Sequence, residues 1–193
     1  DDGMSLPLYE SYSAYNVERL PSRRELEDDV RRLLSLCLAL RTAPLLETYT
    51  GPAILSGRSA GVFFHEIFGH RVEGHRQKDV NSSQTFKPFL GKRILPPFIN
   101  VVFDPTKRTL GGKDIVGAYA FDDEGMPGQR VVAVDSGIFK SFLMSRAPIE
   151  NFATSNGHGR RQAGFKTVSR QSNLIVEATE KVPYDTLRAM LRR

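Results

Sequence analysis

Sulfur and large aromatics are scarce in this chain: Cys37 is its one cysteine among 193 residues, and there is no tryptophan. A single thiol excludes an internal disulfide and fits a reducing compartment, so the expected location is cytoplasmic. Cys37 falls in the apolar stripe of an expected helix, where a buried core thiol is the natural reading. No apolar run is long enough to span a bilayer, so a membrane is not among the expected partners. The start, Asp1-Asp2-Gly3, is acidic and lacks the apolar stretch of a signal peptide. It also lacks an initiator methionine, so the chain is expected to begin inside a longer protein. Excess charge is small as well. Lysine and arginine number 27 against 22 acids, a net +5. The basic pairs Arg23-Arg24, Arg31-Arg32 and Arg160-Arg161 are scattered among acids, without the aromatic-rich basic stripe of a nucleic-acid surface.

What is present is a dense cluster of imidazoles. His65-Glu66-Ile67-Phe68-Gly69-His70 places two histidines and a carboxylate within six residues, and His75 follows shortly after. Neutral imidazole nitrogens are good zinc ligands, and a neighbouring carboxylate can accept a proton from water. The spacing is unusual for this chemistry, because zinc-peptidase helices carry their histidines four apart. At about 100° per residue, positions five apart diverge by about 140° on a regular helix. His65 and His70 can share an ion only if the helix carries a π-type turn or ends between them. Gly69 makes such a distortion easier. Two unrelated histidines, one packed and one exposed, are the alternative.

The remaining pattern predicts α+β architecture. Helices occupy the N-terminal part, including the helix of the histidine motif, and an antiparallel β-rich region follows. Residues 5–9 read as an edge strand or a linker. Ser22 with Glu25 three residues on forms a capping box for a helix that ends before Pro44. Leu26, Val30, Leu33, Leu34, Cys37 and Leu38 mark its apolar face. A strand is expected over 47–55, broken at Gly51-Pro52, and then a turn over 57–60 leads into the helix of His65 and Glu66. A polar loop follows Gly74. Further strands are expected over 99–103, 116–121, 130–134, 138–143 and 174–178, with 130–134 pairing onto 116–121, and a last helix over 184–191. Asp122-Asp123-Glu124 lacks the ligand spacing of a calcium loop and reads as a structural turn. The glycine-rich stretch Ser155 to Gly159, with Arg160 and Arg161, lacks the ending of a nucleotide P-loop.

Three segments in order resemble the TldD/PmbA peptidases, also called modulators of DNA gyrase. They are His65 to Gly74, Phe121 to Gln129, and Asn156 to Arg161, and the resemblance runs from about Asp2 to the C-terminus. In that family the zinc histidines stand five apart. The resemblance implies a zinc metallopeptidase of extended or unfolded peptides, with His65 and His70 as metal ligands and Glu66 as general base. It implies a third ligand, a cysteine, beyond Arg193, and no residue here matches it. Glu73 is expected to orient a ligand histidine or to pair with Arg71 or Arg76. His75, His158, Arg160 and Arg161 are candidates for the cleft, with His75 a possible third ligand and His158 a transition-state stabiliser.

By the same resemblance, residues 1–20 are the tail of a truncated N-terminal α/β region and 21–50 a connecting helix and linker. Residues 51–193 are then part of the catalytic β-rich domain, its C-terminal end missing. The implied partners are a peptide substrate and a second subunit, either another copy or a related zinc-less chain. Two readings compete: a module that binds peptides or a partner without cleaving, and a DNA-associated regulator.

Overall fold

A computed structural model describes residues 5–79, 81–82 and 84–191. The acidic start at Asp1-Asp2-Gly3, Ser83 of the polar loop, and both limits of the family resemblance lie outside the described residues. The architecture is α+β. Helices α1 (Arg23–Arg41) and α2 (Gly57–Ile67) come first, short strands follow, and α3 (Tyr184–Leu191) closes the chain.

The strands are β1 (Ile99–Phe103), β2 (Thr109–Leu110), β3 (Lys113–Asp114), β4 (Val131–Asp135), β5 (Ile138–Phe139), β6 (Gly159–Arg160), β7 (Val168–Ser169) and β8 (Leu174–Ala178). The main sheet has the order β5-β4-β1-β8, with every pairing antiparallel. β2 with β3 and β6 with β7 form two small ribbons. Central β1 reads Ile-Asn-Val-Val-Phe and buries its last three residues, as a strand flanked on both edges requires. Around it Phe68, Val72, Phe103, Val134, Phe139 and Leu143 form the heart of one apolar cluster.

Several expected elements differ. Residues 116–121 form no strand; only an isolated bridge joins Phe121 to Pro127. β4 therefore pairs with β1 and β5 instead. The backbone donors of that stretch are engaged elsewhere: Gly117 N–H donates to Asn173 Oδ1 at 2.9 Å and Tyr119 N–H to Pro105 carbonyl at 2.8 Å. Asp122 Oδ1 accepts from the N–H groups of Glu124 and Met126 at 2.9 Å each and closes the turn that follows. Residues 5–9 and 47–55 are irregular. Tyr49 and Leu55 are exposed and no residue of 47–55 is buried, so no buried face holds that stretch as a strand. α2 begins at Gly57 with Ser56 as its cap, so 57–60 is helix and not a preceding turn. A 3₁₀ turn over Gly74–Gln77 stands where the polar loop was expected to begin.

The capping box of α1 is present: Glu25 N–H donates to Ser22 Oγ at 3.4 Å, and Ser22 N–H to Glu25 Oε2 at 2.7 Å. Its apolar face, however, has no fully buried residue. Cys37 is half-buried and free, not a core thiol. α1 is instead tied down by polar contacts from the strand-less segment before it. Glu10 bridges Arg32 of α1 and Arg58 of α2 at 2.6 and 2.7 Å. Tyr12 donates to Asp29 at 2.6 Å. Tyr15 donates to Ile115 carbonyl at 2.7 Å, and Arg19 pairs with Asp114 at 3.1 Å.

Candidate metal centre

α2 ends between the two histidines. Ile67 is its last residue, Phe68 caps it with φ −120° and ψ −56°, and a 3₁₀ turn over Gly69–Val72 carries His70. The divergence of a regular helix is thereby removed. Phe68 anchors the break. Its ring sits in the core, 5.2 Å from Phe86, 6.3 Å from Phe139 and 6.4 Å from Phe103 between centroids. A β-carbon on Gly69 would meet the side-chain amide of Gln171, which would have to move aside.

The result brings the His65 and His70 rings to 4.5 Å between centroids, inclined at 82°. Ligand atoms of His65, Glu66 and His70 all lie within 4.8 Å of one another. His65 Nε2 stands 3.8 Å from Glu66 Oε1. His70 and Glu73 are joined at 3.0 Å between Nδ1 and Oε1. A carboxylate can only accept, so Nδ1 carries the hydrogen and the lone pair of His70 Nε2 is left free. This arrangement fixes both tautomer and ring orientation. Two imidazoles and one carboxylate fit a borderline-soft divalent cation such as zinc.

Glu73 itself is fully buried, and three partners hold it there. Besides His70, Arg76 Nε donates to its Oε2 at 2.9 Å, and Arg170 Nη1 lies 3.3 Å from the same oxygen. A buried carboxylate keeps its charge only with such partners. The backbone of this segment is docked on the strand-like run after β5. Gly74 N–H donates to Leu143 carbonyl at 2.8 Å, and Leu143 N–H to Val72 carbonyl at 2.9 Å. A β-carbon on Gly74 would stand 2.6 Å from Leu143 carbonyl oxygen, so only glycine permits this approach. Thus Glu73 both orients a histidine and pairs with Arg76; it does not pair with Arg71, which donates to Thr85 at 3.1 Å.

The other candidates are placed differently. His75 is half-buried with Nδ1 enclosed and unpartnered, and it does not join the three-residue cluster. Burial pushes its pKa below the ordinary histidine value. His158 is fully buried. Its Nδ1 pairs with Asn156 carbonyl and its Nε2 with Ser172 Oγ, each at 3.0 Å. Burial drives its pKa down to about 4. With both ring nitrogens engaged inside the core, His158 is a packing residue that offers substrate no hydrogen. Arg160 lies over the Tyr119 ring at 4.3 Å and pairs with Asp123 at 3.2 Å.

The second and third motifs form one unit. Asp122 Oδ2 accepts from Gly159 N–H at 2.9 Å, and Asp123 Oδ2 from Arg161 N–H at 2.6 Å. The turn reading of Asp122-Asp123-Glu124 therefore has a concrete purpose, the anchoring of the glycine-rich loop. Sequence reasoning missed Arg170 and Gln171. Neither lies in a motif, and each acts through a neighbour distant in the chain.

A cavity of 510 Å³ opens beside His65, lined also by Gly61, Gly117, Gln171, Leu174 and Ile175 among others. Both polar atoms of the Gln171 amide are enclosed there without a protein partner. β8, which supplies Leu174 and Ile175, is an edge strand of the main sheet.

Residues 48–193 match the family model of the PmbA/TldA metallopeptidase C-terminal domain. The chain belongs to the PmbA/TldD family. Over 125 residues it is 33% identical to a metalloprotease of Methanocaldococcus jannaschii, covering 64% of this chain and 26% of that one. A zinc metalloprotease TldD homologue of Saccharolobus solfataricus is 30% identical over 127 residues, 64% of this chain and 27% of the relative. The chain thus spans about a quarter of the length of these relatives. Among solved structures, a chain of Bacteroides thetaiotaomicron described as a candidate modulator of DNA gyrase superposes with a TM-score of 0.55. It is 18% identical and covers 91% of this chain and 35% of its own. That likeness speaks to the fold. No helix among the described residues is long and apolar enough to cross a membrane.

Proposed function

We propose that this chain carries the metal-binding part of a zinc-dependent peptidase acting on extended or unfolded peptides. His65 and His70 are its zinc ligands, and Glu66 is its general base. The observation that carries the reading is the convergence of His65, Glu66 and His70, with Glu73 holding Nδ1 of His70. Zinc, when bound, supplies a Lewis acid that brings the pKa of water towards neutrality. A Glu66 oxygen accepts the proton of the attacking water and passes it to the departing amine nitrogen. Glu73 keeps its proton acceptor aimed at His70 throughout, because Arg76 and Arg170 hold both of its oxygens.

The edge of β8 supports the reading of extended chains as substrates. Its first residues line the same cavity as His65, so a peptide adding to that edge by main-chain hydrogen bonds would pass His65. A third ligand, a cysteine beyond Arg193, would complete the set, and a second subunit, another copy or a related zinc-less chain, would complete the assembly. The experiment is a Glu66→Gln variant of the intact protein. Cleavage of unfolded peptides should fall at least about a hundredfold while zinc content and folding are retained. Full activity in that variant would remove Glu66 from the chemistry. Zinc bound without cleavage of any unfolded peptide by the parent protein would leave a binding module instead.

A further inference from the structure

Residues 170–173 border two cavities. Gln171, Ser172 and Asn173 line the one that holds His65, while Arg170 lines another of 590 Å³. This second cavity is bounded by Arg160, Arg161, Lys166 and Arg170, with Phe165 and Val168 as its apolar part. Four cations face it, and no acid is among its lining residues. Two of those cations are already shared: Arg160 with Asp123 at 3.2 Å and Arg170 with Glu73 at 3.3 Å. Among the described residues no acid forms an ion pair with Arg161 or Lys166. Arg161 influences Asp123 only at longer range, although its backbone N–H donates there. Phe165 is two-thirds exposed, at 66%, beside these free charges.

Free cations around an apolar floor are the complement of a carboxylate attached to a carbon chain. The cavity is also wired to the histidines. Arg170 touches Glu73, and Glu73 touches His70 at 3.0 Å, so a ligand at Arg170 lies two contacts from a proposed metal ligand.

We propose that this cavity binds a carboxylate of the peptide substrate, with Arg161 and Lys166 as its principal contacts and Phe165 beneath the adjoining carbon chain. The proposal rests on the peptidase reading for the word substrate. The carboxylate can belong to the peptide's C-terminus or to an aspartate or glutamate side chain. It makes the protein selective for acidic peptides without any pairing of sequence to side-chain shape.

The test measures binding, not turnover. Four fluorescent peptides of one sequence, with glutamate or glutamine at one position and a C-terminal acid or amide, are titrated into the metal-free intact Glu66→Gln protein. Acid-bearing peptides should bind about tenfold tighter than the neutral one. Whichever of the two changes opens the gap identifies the carboxylate's source. The gap should close in an Arg161→Ala/Lys166→Ala double variant and persist in Arg23→Ala/Arg31→Ala, which removes equal charge from exposed sites on α1. Equal affinity for all four peptides overturns the proposal. So does a gap that survives in Arg161→Ala/Lys166→Ala, or one that shrinks equally in the α1 control. Displacement of the acidic peptide by a single-stranded oligonucleotide at lower concentration than by the unlabelled acidic peptide assigns the cavity to phosphates and overturns it too. A charge gap in binding, together with a zinc-loaded parent that cleaves none of the four, upholds the cavity and removes the peptidase reading alone.

Discussion

The segment up to α1 and the sheet are held together by opposite means. In the first, apolar side chains face outward: Leu34 and Leu38 are 60% and 64% exposed, and the attachments are ion pairs and tyrosine hydrogen bonds. In the second, Val101, Phe103, Val134 and Phe139 are completely enclosed, and backbone ladders do the rest. α2 spans the two. It starts where Arg58 reaches Glu10 and stops where Phe68 enters the core. The histidines stand at this seam, one on the exposed helix and one on the turn pinned to the sheet. The difference teaches that the placement of His70 is fixed by core packing, whereas His65 depends on how α2 leaves it.

The sharpest way to break this comparison is at the anchor. Phe68→Ala should cost about 3–5 kcal/mol in urea unfolding, while Leu38→Ala on α1 should fall within about 0.5 kcal/mol. Equal losses would mean that α1 has a buried face after all. The next effect concerns the buried carboxylate. Glu73→Ala should destabilise by about 1–3 kcal/mol and weaken metal binding by about 10–100-fold, because His70 loses its orienting acceptor. Loss of stability with unchanged metal affinity would confine Glu73 to packing.

An effect confined to acid pH is expected from His158, whose pKa is lowered to about 4 by burial. Between that value and the ordinary histidine value the unfolded chain binds a proton that the folded chain refuses. Its contribution is therefore complete above about pH 6.5 and is lost on acidification, at up to about 1.4 kcal/mol per pH unit. Unfolding from pH 7 to 4 in the parent and in His158→Gln should show the extra slope in the parent alone. The smallest effect distinguishes the attachments: added salt should speed amide exchange in α1 and leave β1 unchanged, since exposed ion pairs are screened and apolar cores are not.

How much of this was readable in the sequence follows from range. Ser22 and Glu25 signal α1 within four residues, and β1, β8 and α3 appear where apolar patterning is strong. The stretch 116–121 carries the same apolar signal and forms no strand, because its N–H groups at Gly117 and Tyr119 are taken by Asn173 and Pro105 and not by a neighbouring strand. The stripe of α1 predicts a buried face that the described residues do not supply. At the centre, the two histidines and the orienting role open to Glu73 were visible. The ending of α2 at Ile67 was one of two geometries that the spacing left open. Arg170 was not legible, since its meaning comes from Glu73, 97 positions away.

The most direct measurement is a zinc titration of the protein, followed by calorimetry, alongside His65→Ala and His70→Ala. One ion per chain, with affinity falling steeply in each variant, is the predicted result. Undiminished binding in both variants would contradict a shared ion between these rings.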